Sequence, residues 1–158
     1  FSLDDALPIS TKDDLERALV ELLYLVELID NANDLHTLGG LKPLLTLIDH
    51  SSDTIRAKAV WCLGVSASNN LEFQETLRTV SPIIIGRLTQ LLLESNEELV
   101  GKALYTLSSL LRGHERNAVD FFSEEYGGIV AVAHVLEDEK LTARPHKKCL
   151  QLLSDMLG

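Results

Sequence analysis

Apolar residues recur at spacings of three and four along most of the chain, the rhythm of helices that bury one face. One such run, Gly101–Leu111 (GKALYTLSSLL), has counterparts on both sides, Ala57–Ala67 (AKAVWCLGVSA) and Lys147–Leu157 (KKCLQLLSDML). The aligned small residues Ala59, Ala103 and Cys149 lie 44 and 46 positions apart. A second aliphatic set precedes each run at a shift of 44: Leu41, Leu44, Leu47 and Ile48, then Ile85, Leu88, Leu91 and Leu92, then Ile129, Val132, Val135 and Leu136. Gly39-Gly40 returns as Gly127-Gly128, and Leu77 aligns with Phe121 in the segment ahead. A period of this length predicts stacked repeats, each holding a short polar helix, a medium helix and a long one.

That anatomy is the armadillo repeat's. The predicted fold is all-α, a right-handed armadillo-like α-solenoid of about three repeats plus an N-terminal helix, in a single domain over 1–158. Residues 1–10 read as a lead-in, 11–30 as the N-terminal helix, and 31–70, 71–114 and 115–158 as the three repeats. Ser10 followed by Asp13 predicts a helix start, and Leu15, Leu19, Leu22, Leu23, Val26 and Ile29 carry one apolar face to about Ile29. Asp30–Asn33 (DNAN) reads as a turn, and Leu35–Leu38 as one helical turn stopped by the paired glycines. The medium helix is expected from Leu41, with Pro43 tolerated in its first turn, and Ser51-Ser52-Asp53 caps the first long helix. Asn69-Asn70 and Gly113-His114 supply left-handed helix ends. Pro82-Ile83 stands near where the other repeats have glycines and predicts a differently built turn, while Pro145 puts the last helix start near Ala143. Phe1 in place of methionine reads as a trimmed start. With no polar repeat before Gly158, further helices or a covering partner are expected at that end.

Each long helix carries two faces. The inward stripe is Ile55, Ala59, Cys62, Leu63 and Ser66, then Leu99, Ala103, Thr106, Leu107 and Leu110, then Pro145, Cys149, Leu152, Leu153 and Met156. A second register holds Lys58, Trp61 and Val65, then Lys102, Tyr105 and Ser109, then Lys148, Gln151 and Asp155. The last helix of a solenoid repeat usually lines the concave side, so a lysine ladder beside one tryptophan and one tyrosine is expected in a groove. The formal net charge is −10, and basic residues in register against that background, with Arg112 nearby, point to a protein-binding surface.

The same charge opposes a nucleic-acid partner. The most apolar helical run, Ala18–Ile29, is broken by Glu21 and Glu27 and falls short of a membrane span. Cys62 and Cys149 share inward slots with Thr106 and Ala103 and read as core fillers, since a bridge between the first and third repeats would have to cross the middle one. His36, His50, His114, His134 and His146 lack metal-ligand spacing, and Glu97-Glu98 and Glu124-Glu125 read as helix starts and wet faces. No serine sits in GxSxG, and the glycine pairs lack a phosphate-cradling context. The residues therefore describe a binding protein, not an enzyme, with no cofactor and no metal.

Ile29–Leu41 (IDNANDLHTLGGL), Asn69-Asn70-Leu71, Lys102–His114 (KALYTLSSLLRGH) and Phe121-Phe122 resemble the armadillo-type nucleotide exchange factors of DnaK-type (70-kDa heat-shock) chaperones. These include a cytosolic family and its relative in the endoplasmic reticulum. The similarity runs from about Leu15 to Leu157. It implies a co-chaperone, monomeric and without cofactor, cytoplasmic or alternatively in the endoplasmic reticulum lumen. Its concave face would embrace the second lobe of the chaperone's nucleotide-binding domain, displace the first lobe and speed ADP loss. The implied contacts are Lys58, Trp61, Lys102, Tyr105, Ser109, Arg112, Lys148 and Gln151. The alternative is an armadillo carrier of extended peptides. Such carriers clamp the peptide backbone with an asparagine ladder, and that slot here reads Val65, Ser109 and Asp155.

Overall fold

A computed structural model describes residues 11–158; the lead-in, with the Ser10 helix start, lies outside the described residues. Ten helices and no strand occur among them: α1 (Lys12–Leu25), α2 (Ile29–Thr37), α3 (Leu41–Leu47), α4 (Asp53–Ala67), α5 (Leu71–Val80), α6 (Ile84–Leu91), α7 (Glu97–Leu111), α8 (Glu115–Phe122), α9 (Gly128–Glu137) and α10 (Ala143–Leu157). After α1 they fall into three tiers, each of a short or polar helix, a medium helix and a 15-residue long helix. The long helices α4, α7 and α10 pack side by side in that order, and α1 covers the free side of α4.

Among the described residues the first helix runs from Lys12. Thr11 is the cap, its hydroxyl accepting from the Asp14 N–H at 3.1 Å while its own N–H donates to the Asp14 carboxylate at 3.2 Å. A correction concerns its end. The expected single helix to Ile29 stops at Leu25, and the expected DNAN turn is helical, because Asp30–Asn33 lie inside α2. The physical reason is that these turn-forming side chains bond outward from a helix that buries Ala32 and Leu35. Asn31 donates to the Leu25 carbonyl at 2.8 Å, which satisfies the end of α1, while Asn33 donates to Glu72 and accepts from Asn70 in the next tier.

The remaining boundaries follow the sequence closely. Asn69 (φ 52°) and Gly113 (φ 70°) take the left-handed conformation that ends α4 and α7. The middle tier replaces the glycine turn by Ser81-Pro82-Ile83, closed by the Ile84 N–H on the Ser81 carbonyl at 3.0 Å. Thr142 caps α10, so Pro145 sits in its first turn, buried and without a lost hydrogen bond.

One contiguous core runs from Leu15 to Leu152. The first two aliphatic sets are buried throughout, but the third is not. Val132 and Val135 are buried, whereas Ile129 is 50% and Leu136 36% exposed, and Leu153 and Met156 of the inward stripe are only half-buried. No described element stacks on the far side of the last tier, so residues equivalent to core positions elsewhere face outward there.

Between tiers, arginine side chains reach neighbouring carbonyls and carboxylates. Arg56 donates to the Ile48 carbonyl and to Glu94, Arg87 to Leu45 and Asp49, and Arg78 to Asn117 and Asp120. Cys62 and Cys149 are free, buried thiols, which burial pushes up to about 12 and about 11.

Candidate functional site

The long helices present to solvent the side chains that their core stripes leave over. On α4, packing Ile55, Ala59 and Cys62 inward turns Lys58 and Trp61 to an adjoining edge, where both are half-buried. On α7 and α10 the same geometry delivers Lys102, Tyr105 and Lys148, also half-buried. Lys102 Nζ lies 3.3 Å from the centroid of the Trp61 ring, a cation–π contact that joins the first tier to the second. Lys148 Nζ donates to the Gly101 carbonyl at 3.4 Å and joins the second to the third. Tyr105 lies against Gly64, where an added Cβ would stand 2.7 Å from the ring and 2.5 Å from Thr106 Oγ1. Only a glycine admits that approach.

Among the described residues, Lys58, Lys102 and Lys148 form no ion pair, although arginines elsewhere do. Burial and the neighbouring charges of Lys148, Arg144 and Lys58 hold the Lys102 ammonium below the usual lysine range, with Glu98 opposing. Burial and Arg144 lower Lys148 in the same way. This is a concentration of like charge that Glu98 offsets only in part and that no ion pair closes. Arg144, exposed on α10 one turn ahead of Lys148, belongs to it and escapes a reading by lysine register. Its equivalent slot on α7 holds Glu98, so only the four-residue spacing from Lys148 hints at it.

The other expected contacts are already engaged within the protein. Arg112 donates to Asp155 at 2.8 Å and to the Ser108 hydroxyl at 3.2 Å, and Gln151 donates to the same Asp155 at 3.0 Å. The Ser109 hydroxyl donates to the Tyr105 carbonyl of its own helix at 3.2 Å. The structure thus gathers Lys58, Trp61, Lys102 and Lys148 into one basic group and ties Arg112 and Gln151 into a second, self-paired one. His50, His114 and His146 bond at caps and turns. His114 accepts from the Asn117 N–H at 3.1 Å and meets Glu75 at 2.8 Å, and His146 meets the Asp138 carbonyl at 3.2 Å. No group of three His, Cys, Asp or Glu side chains among the described residues is placed to hold a metal ion, and no described helix is long and apolar enough to cross a membrane.

Comparison with known proteins gives this arrangement its context. The family model described as the SIL1/FES1/HPBP1 C-terminal domain matches residues 31–158. The chain belongs to that family. Among its relatives is the Hsp70 nucleotide exchange factor fes-1 of Neurospora crassa, 33% identical over 125 residues that make up 78% of this chain and 50% of that protein. Another is the Hsp70 nucleotide exchange factor FES1 of Saccharomyces cerevisiae, 32% identical over 146 residues, 85% of this chain and 47% of that one. The chain therefore spans about half the length of the curated relatives it matches. Among solved structures, a designed armadillo repeat protein in complex with the peptide (KR)4 aligns with a TM-score of 0.79 at 20% identity, over 95% of this chain and 61% of that one. An engineered protein aligns at 0.81 with 16% identity, over 95% of this chain and 59% of that one. At these identities the likeness concerns the fold, an armadillo-like helical solenoid.

Proposed function

We propose that this member of the SIL1/FES1/HPBP1 family promotes nucleotide exchange on a 70-kDa heat-shock chaperone by laying the wall of α4, α7 and α10 against the chaperone's nucleotide-binding domain. The observation that carries this reading is the ladder Lys58, Lys102 and Lys148, free of ion pairs among the described residues on a chain of net charge −10 whose relatives are named Hsp70 nucleotide exchange factors. Lys58, Trp61, Lys102, Tyr105 and Lys148 make the principal contact on the concave side, with Ser109, Arg112 and Gln151 along its margin. A wet, charged rim around a rigid aromatic is a composition suited to fast, specific protein docking.

No reaction is required of the chain itself. A partner that binds the separated lobes of the chaperone better than the closed ones weakens ADP binding by that difference, about tenfold for each 1.4 kcal/mol. ADP loosens the partner by the same factor. The chain acts as a monomer, and in the cytoplasm, with the endoplasmic reticulum lumen as the alternative. The test is release of a fluorescent ADP analogue from the chaperone's nucleotide-binding domain. The wild-type chain accelerates release, while a Lys58→Glu/Lys102→Glu variant of unchanged helical content does not. Equal acceleration by both would remove this wall from the contact.

A further inference from the structure

Between the first turns of α7 and α10 lies a cleft of about 420 Å³, lined by Glu97, Glu98, Lys102, Arg144, Pro145 and Lys148 among others. Three cations meet there. Lys102 is held in place by the Trp61 ring and Lys148 by the Gly101 carbonyl, while the Arg144 guanidinium makes no ion pair or hydrogen bond among the described residues. The lysine heads are thus held by neutral groups and not by ion pairs, and the free member is the side chain best shaped to grip a carboxylate with two parallel bonds.

We propose that this cleft is an acid-receiving subsite, in which Arg144, with Lys148 and Lys102 beside it, takes a carboxylate side chain projecting from the partner protein. The proposal rests on the chaperone-docking reading above and adds to it a residue and a chemistry. A carboxylate fits better than a phosphate for two reasons. Glu97 and Glu98 line the same cleft, which reduces its formal charge to one positive unit, enough for one carboxylate and unfavourable for a multiply charged phosphate. At the amino end of α7, Asn96 already takes the Leu99 N–H at 2.9 Å, which removes one of the amides that a phosphate there would use. Glu97 is itself engaged by the Thr142 hydroxyl across the cleft, which links the two helix starts.

The experiment compares two cations of one helix. Arg144 lines the cleft, whereas Lys147 is exposed on α10 and is not among the cleft's residues. Both Arg144→Gln and Lys147→Gln keep the fold, checked by circular dichroism, because neither side chain bonds to it. Affinity for the chaperone's nucleotide-binding domain is measured by calorimetry across salt concentrations. Arg144→Gln is expected to lose about tenfold and to flatten the salt dependence, Lys147→Gln to lose less than about twofold, and Arg144→Lys to fall between. Equal losses for Arg144→Gln and Lys147→Gln would overturn the subsite while leaving the docking reading intact. A wild-type chain that neither binds the domain nor speeds ADP release would remove both. Inorganic phosphate provides the last arm. A saturable change in Trp61 fluorescence, absent from Arg144→Gln, would assign the cleft to phosphate and overturn the carboxylate.

Discussion

Along the wall of the three long helices, the amino-terminal turns present Lys58, Lys102, Arg144 and Lys148 without carboxylate partners, whereas the carboxyl-terminal turns join Arg112, Gln151 and Asp155 in one network. Both groups follow from the same repeat spacing, yet they differ in what a partner would meet. In the first, an incoming acid finds positive charge that is already partly desolvated and crowded by its own kind, and its arrival relieves that crowding. In the second, Asp155 already offsets the charge of Arg112, so an incoming acid meets a weaker attraction there. A shared register therefore does not make a shared electrostatic environment. Which charges the fold has already matched decides between them.

The largest effect that sharpens this contrast is on binding. A Lys102→Glu/Lys148→Glu variant is expected to lose on the order of 100-fold in affinity for the chaperone's nucleotide-binding domain, and Arg112→Ala less than about threefold, by calorimetry at fixed salt. Comparable losses would dissolve the distinction between the two halves.

Next comes the backbone beneath them. Gly64→Ala drives a methyl into Tyr105 and Thr106 and should destabilise the fold by about 1–3 kcal/mol in urea unfolding. In the basic half, Gly101→Ala meets nothing nearer than Lys148 Nζ at 3.5 Å and should stabilise by about 0.5–1 kcal/mol through helix propensity alone. The same substitution on adjacent helices thus has opposite signs.

Smaller effects appear in titration. Lys148→Gln should raise the Lys102 value without restoring it, because burial remains its main cause, while Glu98→Gln should lower it further; NMR of the side-chain nitrogen reads both. Folding lowers the proton affinity of Lys102 and Lys148, so their charged forms oppose the fold at neutral pH. That opposition fades as pH rises through their folded values towards the ordinary lysine value, and their contribution to stability climbs with alkalinity. Asp155 has the opposite sense. Hydrogen bonds from Arg112 and then Gln151 hold its carboxyl below the usual range, so its support is present above the unfolded value and lost as pH falls through the folded one. Arg112→Ala should move the Asp155 titration upward, the slightest change of the set.

The stacked helices and their inward stripes were legible in the chain because burial projects directly onto spacing, and Ile55, Ala59, Leu99 and Ala103 occupy the positions that spacing assigns. The break between α1 and α2 was not, because Val26-Glu27-Leu28 contains no glycine or proline while the polar stretch just after it looks like the turn. Exposure of Ile129 and Leu136 escaped for another reason: an apolar register reports what a helix could bury, not what stands beside it. The ladder lysines were visible in register. The bond between Arg112 and Asp155, 43 positions apart, and the place of Arg144 beside Lys148 depend on how neighbouring tiers are stacked, which spacing within one helix does not contain.

The most direct test of the account uses the single tryptophan, which stands in the ladder under Lys102. With Trp61 replaced by fluorotryptophan, the fluorine resonance of the chain is followed while the unlabelled nucleotide-binding domain of a 70-kDa chaperone is added. The account predicts a saturable shift, reversed by excess ADP and absent from the Lys58→Glu/Lys102→Glu variant. An unmoved resonance in a complex whose formation is established by sedimentation would place the contact elsewhere on the molecule.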